Sequence, residues 1–354
     1  KNYLMERQNS QSRISIKDIA RAAGVSHSTV SRALHDSPLI SQATRHRIQA
    51  LASEMGYIPD AIAQSLQTQQ TGTLGLVVTS IADPFFADLI EGVEEITATA
   101  GISVLISASH IDPEREIEIM ETFDRRPVDG IIVASSRLGS RYTQRLARIH
   151  VPVVLINKHA EEDLSFIHSI TVDDRAGAHL ATEHLLKLGH ERIGYLGMGN
   201  RLLSNRNRHT GYREALKDAG ITPTPAWTVI APPHIENDVM MGQRSFPQLW
   251  DAGTSAVFCY NDRIAIGVFL ACRERGIDIP SEYSVVGFDN IEFAQYMTPP
   301  LSTIHQPKRE MGQLAMKMIL DLLEGEAVKN QVLIPTLIQR GSSTEGLAHK
   351  TFVP

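Results

Sequence analysis

The spacing of apolar residues changes period once along the 354-residue chain. In the first 56 residues the apolar positions recur at intervals of three and four: Ile16, Ile19, Ala20 and Ala23, then Val30, Ala33 and Leu34, then Ile48, Leu51 and Met55. That period puts each set on one face of a helix. Gly24 follows the first set and can take the left-handed turn that ends a helix, while Ser26 and Ser41 supply N-cap oxygens for the second and third. From residue 73 the rhythm becomes strand then helix. The runs "TLGLVVTS", "SVLISAS", "GIIVAS" and "VPVVLIN" each precede a helical pattern, and the alternation resumes with "RIGYLGM", "SAVFCY" and "YSVVGFD". Strands that are apolar on both faces and separated by helices predict parallel sheets covered on both sides. Two such series predict two doubly wound α/β lobes.

Between these regions lies "GYIPDAIAQSLQTQQTGTLGLVV". Pro59 suits a helix start, Ala61 to Leu66 are amphipathic, and a Gln/Thr linker leads into the first strand. A helix of about eight residues is marginal in water and needs a partner to persist. The expected organisation is therefore an all-α head at 13–58, a short hinge helix and linker at 59–72, and an α/β body at 73–344.

Two helices packed around one glycine, with a third in support, predict a helix-turn-helix. Such a unit lays its second helix in the major groove. The exposed early residues of that helix, His27, Ser28 and Arg32, are the candidates for base edges, and an arginine can grip guanine with two hydrogen bonds. The short hydroxyls of Ser26, Thr29 and Ser31 suit phosphate oxygens, and Ser15 and Tyr57 complete the expected DNA-contacting set. Charge agrees with this division. The whole chain carries −6, but residues 1–72 hold 8 Lys/Arg against 5 Asp/Glu (+3), leaving 26 against 35 (−9) for the rest. A basic head on an acidic body fits a head that meets phosphate.

Composition removes other classes. With 42% apolar and 21% charged residues the chain has globular proportions, and no run reaches the 18 to 20 or so apolar residues of a membrane span. The opening "KNYLMERQNSQS" lacks the apolar stretch of an export signal, so a cytoplasmic location is expected. Cys259 and Cys272 are thirteen apart with no ligand-like spacing, which suits small buried residues in a reducing compartment and neither a disulfide nor a zinc site. No nucleophile with its base, metal cluster or phosphate loop stands out, and "GYLGMGN" lacks the full dinucleotide fingerprint. Neither enzymatic activity nor a cofactor is expected.

"IKDIARAAGVSHSTVSRAL" followed by "GYIPDAIAQSL" resembles the lactose/galactose-repressor (LacI/GalR) family of bacterial transcription regulators, and the resemblance runs through almost the whole chain. It implies a sequence-specific regulator, most commonly a repressor, that binds a near-palindromic operator as a homodimer and is gated by a small effector between two periplasmic-binding-protein-like lobes. It implies that the hinge helix orders only on DNA, pairs with its copy in the second subunit, and inserts Leu66 into the minor groove as an apolar wedge. Here the segment carries Asp60, Gln64, Gln67, Gln69 and Gln70 where the family often has Arg or Lys, which predicts fewer phosphate contacts and a shallower salt dependence. The chain is expected to cross between lobes near 172, 303 and 331, giving lobe 1 as 73–172 with 304–331 and lobe 2 as 173–303 with 332–344. The tail "GSSTEGLAHKTFVP" shows no leucine heptad, so a dimer is the expected assembly. A regulator of the same family gated by a protein partner is the alternative, and a sugar-modifying enzyme or a solute-binding protein of the same body fold are remote ones.

Ligands of such sheets bind beyond the carboxyl ends of the strands. Asp83, Phe85 and Phe86 follow the first strand in "DPFF", which resembles the "NPFF" of ribose-type binders. A paired aromatic can stack on a sugar ring, and a carboxylate can accept its hydroxyls. Asn157 closes another strand. Arg208 precedes "xxGY", where the family usually forks an arginine onto ligand oxygens, and Arg206 is its rival for that role. Asn261 and Asp262 form the family's "ND", where Asp262 can also serve as a plain helix cap, and Asp289 ends "VVGFD". Asn237 stands where some members carry a stacking aromatic, which favours a sugar or polyol over a flat purine.

Overall fold

The computed structural model describes residues 14–57, 70–126, 128–135, 143–157, 167–199, 202–232 and 237–346. They form two compact units, divided between Thr71 and Gly72.

The head holds α1 (Ile16–Ala23), α2 (His27–Leu34) and α3 (Gln42–Glu54). Ile19, Ala20, Val30, Ala33, Ile48 and Ala52 close its core, the residues that the helical spacing singles out. Gly24 ends α1 at φ +67°, a conformation an L side chain resists. Ser26 and Ser41 cap α2 and α3 by accepting from the amides of Thr29 and Thr44. The expected hinge helix, with Leu66, lies outside the described residues.

The body contains two six-stranded sheets. In the first, the strands β1 (Thr73–Val78), β2 (Ser103–Ala108), β3 (Gly130–Ala134), β4 (Val153–Ile156), β5 (Ile167–Val172) and β11 (Gln331–Leu333) run in the order β11-β5-β4-β3-β1-β2, all parallel. In the second, β6 (Ile193–Met198), β7 (Thr228–Ala231), β8 (Ala256–Cys259), β9 (Ser284–Asp289), β10 (Ser302–His305) and β12 (Thr336–Ile338) run β12-β10-β9-β8-β6-β7. Only β12 is antiparallel there. The helices α4 (Phe85–Ala100), α5 (Pro113–Arg125) and α6 (Thr143–Leu146) fall within lobe 1. Lobe 2 takes α7 (Asp174–Lys187), α8 (Leu202–Asp218), α9 (Asp238–Asp251) and α10 (Asp262–Arg275). The last helix, α11 (Lys308–Leu323), returns to the core of lobe 1 through Met311, Ala315, Met316 and Ile319.

Two crossings fall a little later than expected. His305 pairs with Asp289 and Thr336 in the second sheet, so the chain leaves lobe 2 after 305, not near 303. Leu333 pairs with Val172 in the first, so it leaves lobe 1 after 333, not near 331. Ladder pairing, which the hydrophobic pattern does not reveal, decides both.

Candidate functional site

In the head, α2 presents His27, Ser28 and Arg32 to solvent. Ser26 Oγ accepts from the Thr29 amide at 3.2 Å and lies 2.8 Å from both the Ser28 and Thr29 hydroxyls. Three hydroxyls thus cluster at the N-terminus of α2, where the helix dipole favours an anion. Arg32 stands one turn on, without an ion-pair partner among the described residues. Ser31 is half-buried, its carbonyl 2.7 Å from His35 Nδ1. Ser15 is engaged locally: its amide and hydroxyl both donate to Asp18 Oδ2, and those bonds hold the Asp18 carboxyl below its ordinary range. Tyr57 is packed against the head core, so it serves first to close that core.

In the body, polar residues from separate strand ends join into one chain of contacts. Asn157, just beyond β4 in lobe 1, donates from Nδ2 to Gln306 Oε1 at 3.1 Å. Gln306 donates from Nε2 to Asp289 Oδ1 at 2.6 Å. The same Asp289 oxygen lies 3.7 Å from Arg208 Nη1, and Arg208 Nε donates to Asp174 at 2.7 Å. The backbone is bent to serve this site. Asn157 and Asp289 sit at φ +56° and +113°, conformations that cost on the order of 1–3 kcal/mol and persist only when the surroundings impose them. A second link crosses between lobes where Arg263, in the first turn of α10, brings Nη1 to 3.9 Å from Asp83 Oδ1. A third is Lys308, whose ammonium donates to the carbonyls of Asp289 and Asn290 at 2.7 and 2.9 Å and lies 3.1 Å from Asp88.

Burial shapes the charges. It raises the Asp289 carboxyl to about 6, against the opposing pull of Arg208 and Lys308. Burial, reinforced by Asp289, raises Asp262 to about 8. Arg208 is 4% exposed; burial works against its charge, but Asp174, Tyr260 and Asp289 hold the guanidinium above its ordinary value. Its planar group lies 3.6 Å from the centre of the Phe288 ring and 4.4 Å from that of Tyr260, and Nη1 donates to the Tyr260 carbonyl.

Some expected site residues stand elsewhere. Phe86 is 1% exposed inside the lobe 1 core and leaves no face for a ligand, while Phe85, edge-on to it, keeps 7%. Asp262 spends both carboxylate oxygens inside lobe 2, on the Thr303 hydroxyl and the Ile291 amide. Nor does it cap α10. That position belongs to Asn261, whose Oδ1 accepts from Ile264 and whose Nδ2 donates to Asp238. Asn237 is exposed and caps α9 through the Met240 amide. The sequence pattern does not mark Gln306, Arg263, Asp238 or Lys308. Gln306 follows the polar-rich stretch "LSTIH", and the neighbours of all four lie far along the chain.

The head matches the family model of bacterial regulatory proteins of the lacI family over residues 15–60, and residues 182–343 match that of the periplasmic binding protein-like domain. The transcriptional repressor PurR of Photobacterium profundum is 32% identical over 92% of this chain and 98% of its own length. This chain belongs to the LacI family. Among solved structures, the lac repressor dimer bound to operator and the anti-inducer ONPF is 27% identical, with a TM-score of 0.81 over 94% of this chain and 99% of the other. A LacI-family regulator from Enterococcus faecium with bound ribose is 29% identical, with a TM-score of 0.68 over 77% of this chain and 99% of the other. The body of this LacI-family protein has no described helix long and apolar enough to cross a membrane.

Proposed function

We propose that this protein is a transcriptional repressor that acts in the cytoplasm, where its operator lies, and is gated by a neutral sugar or polyol bound between the two lobes. The observation that carries the reading is one architecture joining two features. These are a helix with exposed His27, Ser28 and Arg32 on a helix-turn-helix head, and a body whose polar side chains converge from several strand ends across two lobes. In the reading, His27, Ser28 and Arg32 read base edges and the hydroxyls of Ser26 and Thr29 hold phosphate. Asp83, Asn157 and Asp289 receive the effector, with Phe85 as the aromatic at its edge. A ligand shifts the lobes only by binding one arrangement better than another, and operator affinity changes with that shift.

The operator-bound unit is a homodimer. Both sheets end in an edge strand with outward apolar residues, Leu105 (43% exposed) and Ile106 (41%) on β2 and Ile230 on β7. Exposed apolar edge strands invite pairing or burial, and a second copy supplies it. The serine–histidine side-chain contacts among the described residues, Ser343 with His184 and Ser255 with His190, involve buried imidazoles that fasten segments of lobe 2 to one another, whereas a nucleophile must meet its substrate.

Sequence selection from random duplexes with the full-length protein, followed by fluorescence anisotropy on the selected duplex with and without a sugar panel, tests the reading. A selected near-palindrome whose affinity changes with one sugar supports it. No preference for any duplex removes it, and a preference that no sugar alters moves the gate to a protein partner.

A further inference from the structure

We infer that Arg263 binds the effector directly, and that with Asp83 it grips two adjacent hydroxyls of a neutral polyhydroxyl compound from opposite lobes; this rests on the effector cleft proposed above. Arg208 is already engaged within lobe 2 on two of its three nitrogens. Nε is held by Asp174, Nη1 by the Tyr260 carbonyl, and the rings of Phe288 and Tyr260 lie over the guanidinium plane.

Arg263 is in the opposite condition. It leaves lobe 2 from the first turn of α10, directly after the Asn261 cap, and reaches toward lobe 1. Its Nη1 stops 3.9 Å from Asp83 Oδ1, too far for a direct hydrogen bond. Its Nε is buried with no acceptor. On the lobe 1 side, Asn157 Oδ1 is buried with no donor, and among the described residues Asp83 is bonded through Oδ1, which accepts from the Phe85 amide at 3.1 Å. A buried donor or acceptor left unmatched carries the desolvation penalty of a lost bond, so a donor on one lobe and an acceptor on the other both gain from a ligand. A hydroxyl both donates and accepts. Of two neighbouring hydroxyls, one donates a hydrogen bond to Asp83 and the other accepts one from Arg263. An anionic group fits worse, because Asp83 and Asp289 lie close enough to repel one another and the charge of Arg208 is matched by Asp174 and Asp289.

The test titrates full-length wild type, Arg263→Met and Arg263→Lys with D-ribose, D-xylose, D-galactose, D-glucose and D-ribose 5-phosphate by calorimetry, and records the melting temperature of each without ligand. The expected result is wild-type binding of at least one neutral sugar, weakened about 10- to 100-fold by Arg263→Met, the range for losing a hydrogen bond to a charged group. Arg263→Lys keeps the charge without Nε and recovers only part of that affinity. Ligand-free melting temperatures within about 2 °C of one another separate ligand contact from a structural role. A dissociation constant for Arg263→Met within twofold of wild type overturns the inference alone. Binding of the phosphate ester in preference to every neutral sugar overturns its ligand class. No wild-type binding in the panel overturns both the inference and the sugar-gated cleft. Should Arg263→Met not fold, Arg263→Lys and Arg263→Gln carry the same comparison.

Discussion

Asp289 is the residue where chemistry and position coincide most closely. Burial holds its carboxyl at about 6 in the ligand-free protein, and with Oδ1 accepting from Gln306, only the ionised form leaves Oδ2 purely an acceptor for an effector hydroxyl. Effector affinity is therefore expected to be flat above pH 7 and to fall as pH drops through about 6, as titrations between pH 5 and 8 will record. Arg208 affords a second residue-scale prediction. Arg208→Met leaves the buried Asp289 and the half-buried Asp174 without their shared cation, and breaking a buried pair costs about 3–5 kcal/mol. A large drop in the thermal midpoint is expected, in contrast to the near-silent Arg263→Met. In the head, Arg32→Ala should weaken binding to the selected duplex by about 1–3 kcal/mol and relax preference at one base pair in each half-site, as anisotropy on single-base variants of that duplex will show.

At the scale of elements, stability rests on a few close approaches and caps. A Cβ on Gly267 would stand 2.1 Å from the Val239 carbonyl, and one on Gly242 2.1 Å from that of Ile264, so α9 and α10 touch backbone to backbone. Gly267→Ala must push the two helices apart, at a cost of about 1–3 kcal/mol, to be read from chemical denaturation. The tail segment 342–346 is fastened to lobe 2 by His184 against Ser343 and by His190 against Thr344 and Ser255. Burial holds both imidazoles below their ordinary value of 6.5. Above 6.5 they are neutral folded or unfolded and contribute no pH dependence. Below it, the unfolded chain takes up protons that the folded one refuses, so stability declines as pH falls from about 6.5 toward the lowered folded values. His190→Gln should flatten that decline in denaturation curves measured between pH 7 and 5.

For the whole molecule, the proposed dimer contact rests on the exposed apolar residues of the edge strands β2 and β7. Leu105→Glu places a charge in that surface and is expected to shift the protein from dimer toward monomer in analytical ultracentrifugation. Its operator affinity should fall with it, because two half-sites are then no longer read by one linked pair. The lobes are already bridged without ligand through Asn157, Gln306 and Asp289, and through Lys308. An effector therefore acts on an equilibrium between arrangements that these bonds help to set.

What the sequence determined by itself is whatever one short stretch of chain decides. The three helices of the head follow from apolar spacing, one glycine and two serine caps. The longer strands follow from apolar runs, and Asn157 and Asp289 are marked by ending such runs. Strands interrupted by polar residues or only three or four residues long, such as β5 with His168, Ser169 and Thr171, and β7, β10, β11 and β12, carry no such run and emerge only when a neighbouring strand pairs with them. The site divides in the same way. "DPFF" and "ND" identify a neighbourhood, but whether Phe86 faces a ligand or the core, and whether Asn261 or Asp262 caps α10, depends on packing. Gln306 meets Asn157 across 149 residues of chain, and Asp262 meets Thr303 across 41. Contacts at those separations have no local periodicity to announce them. Only the folded backbone, by setting which strand ends converge and which side chains lose water, selects the residues that remain free to bind.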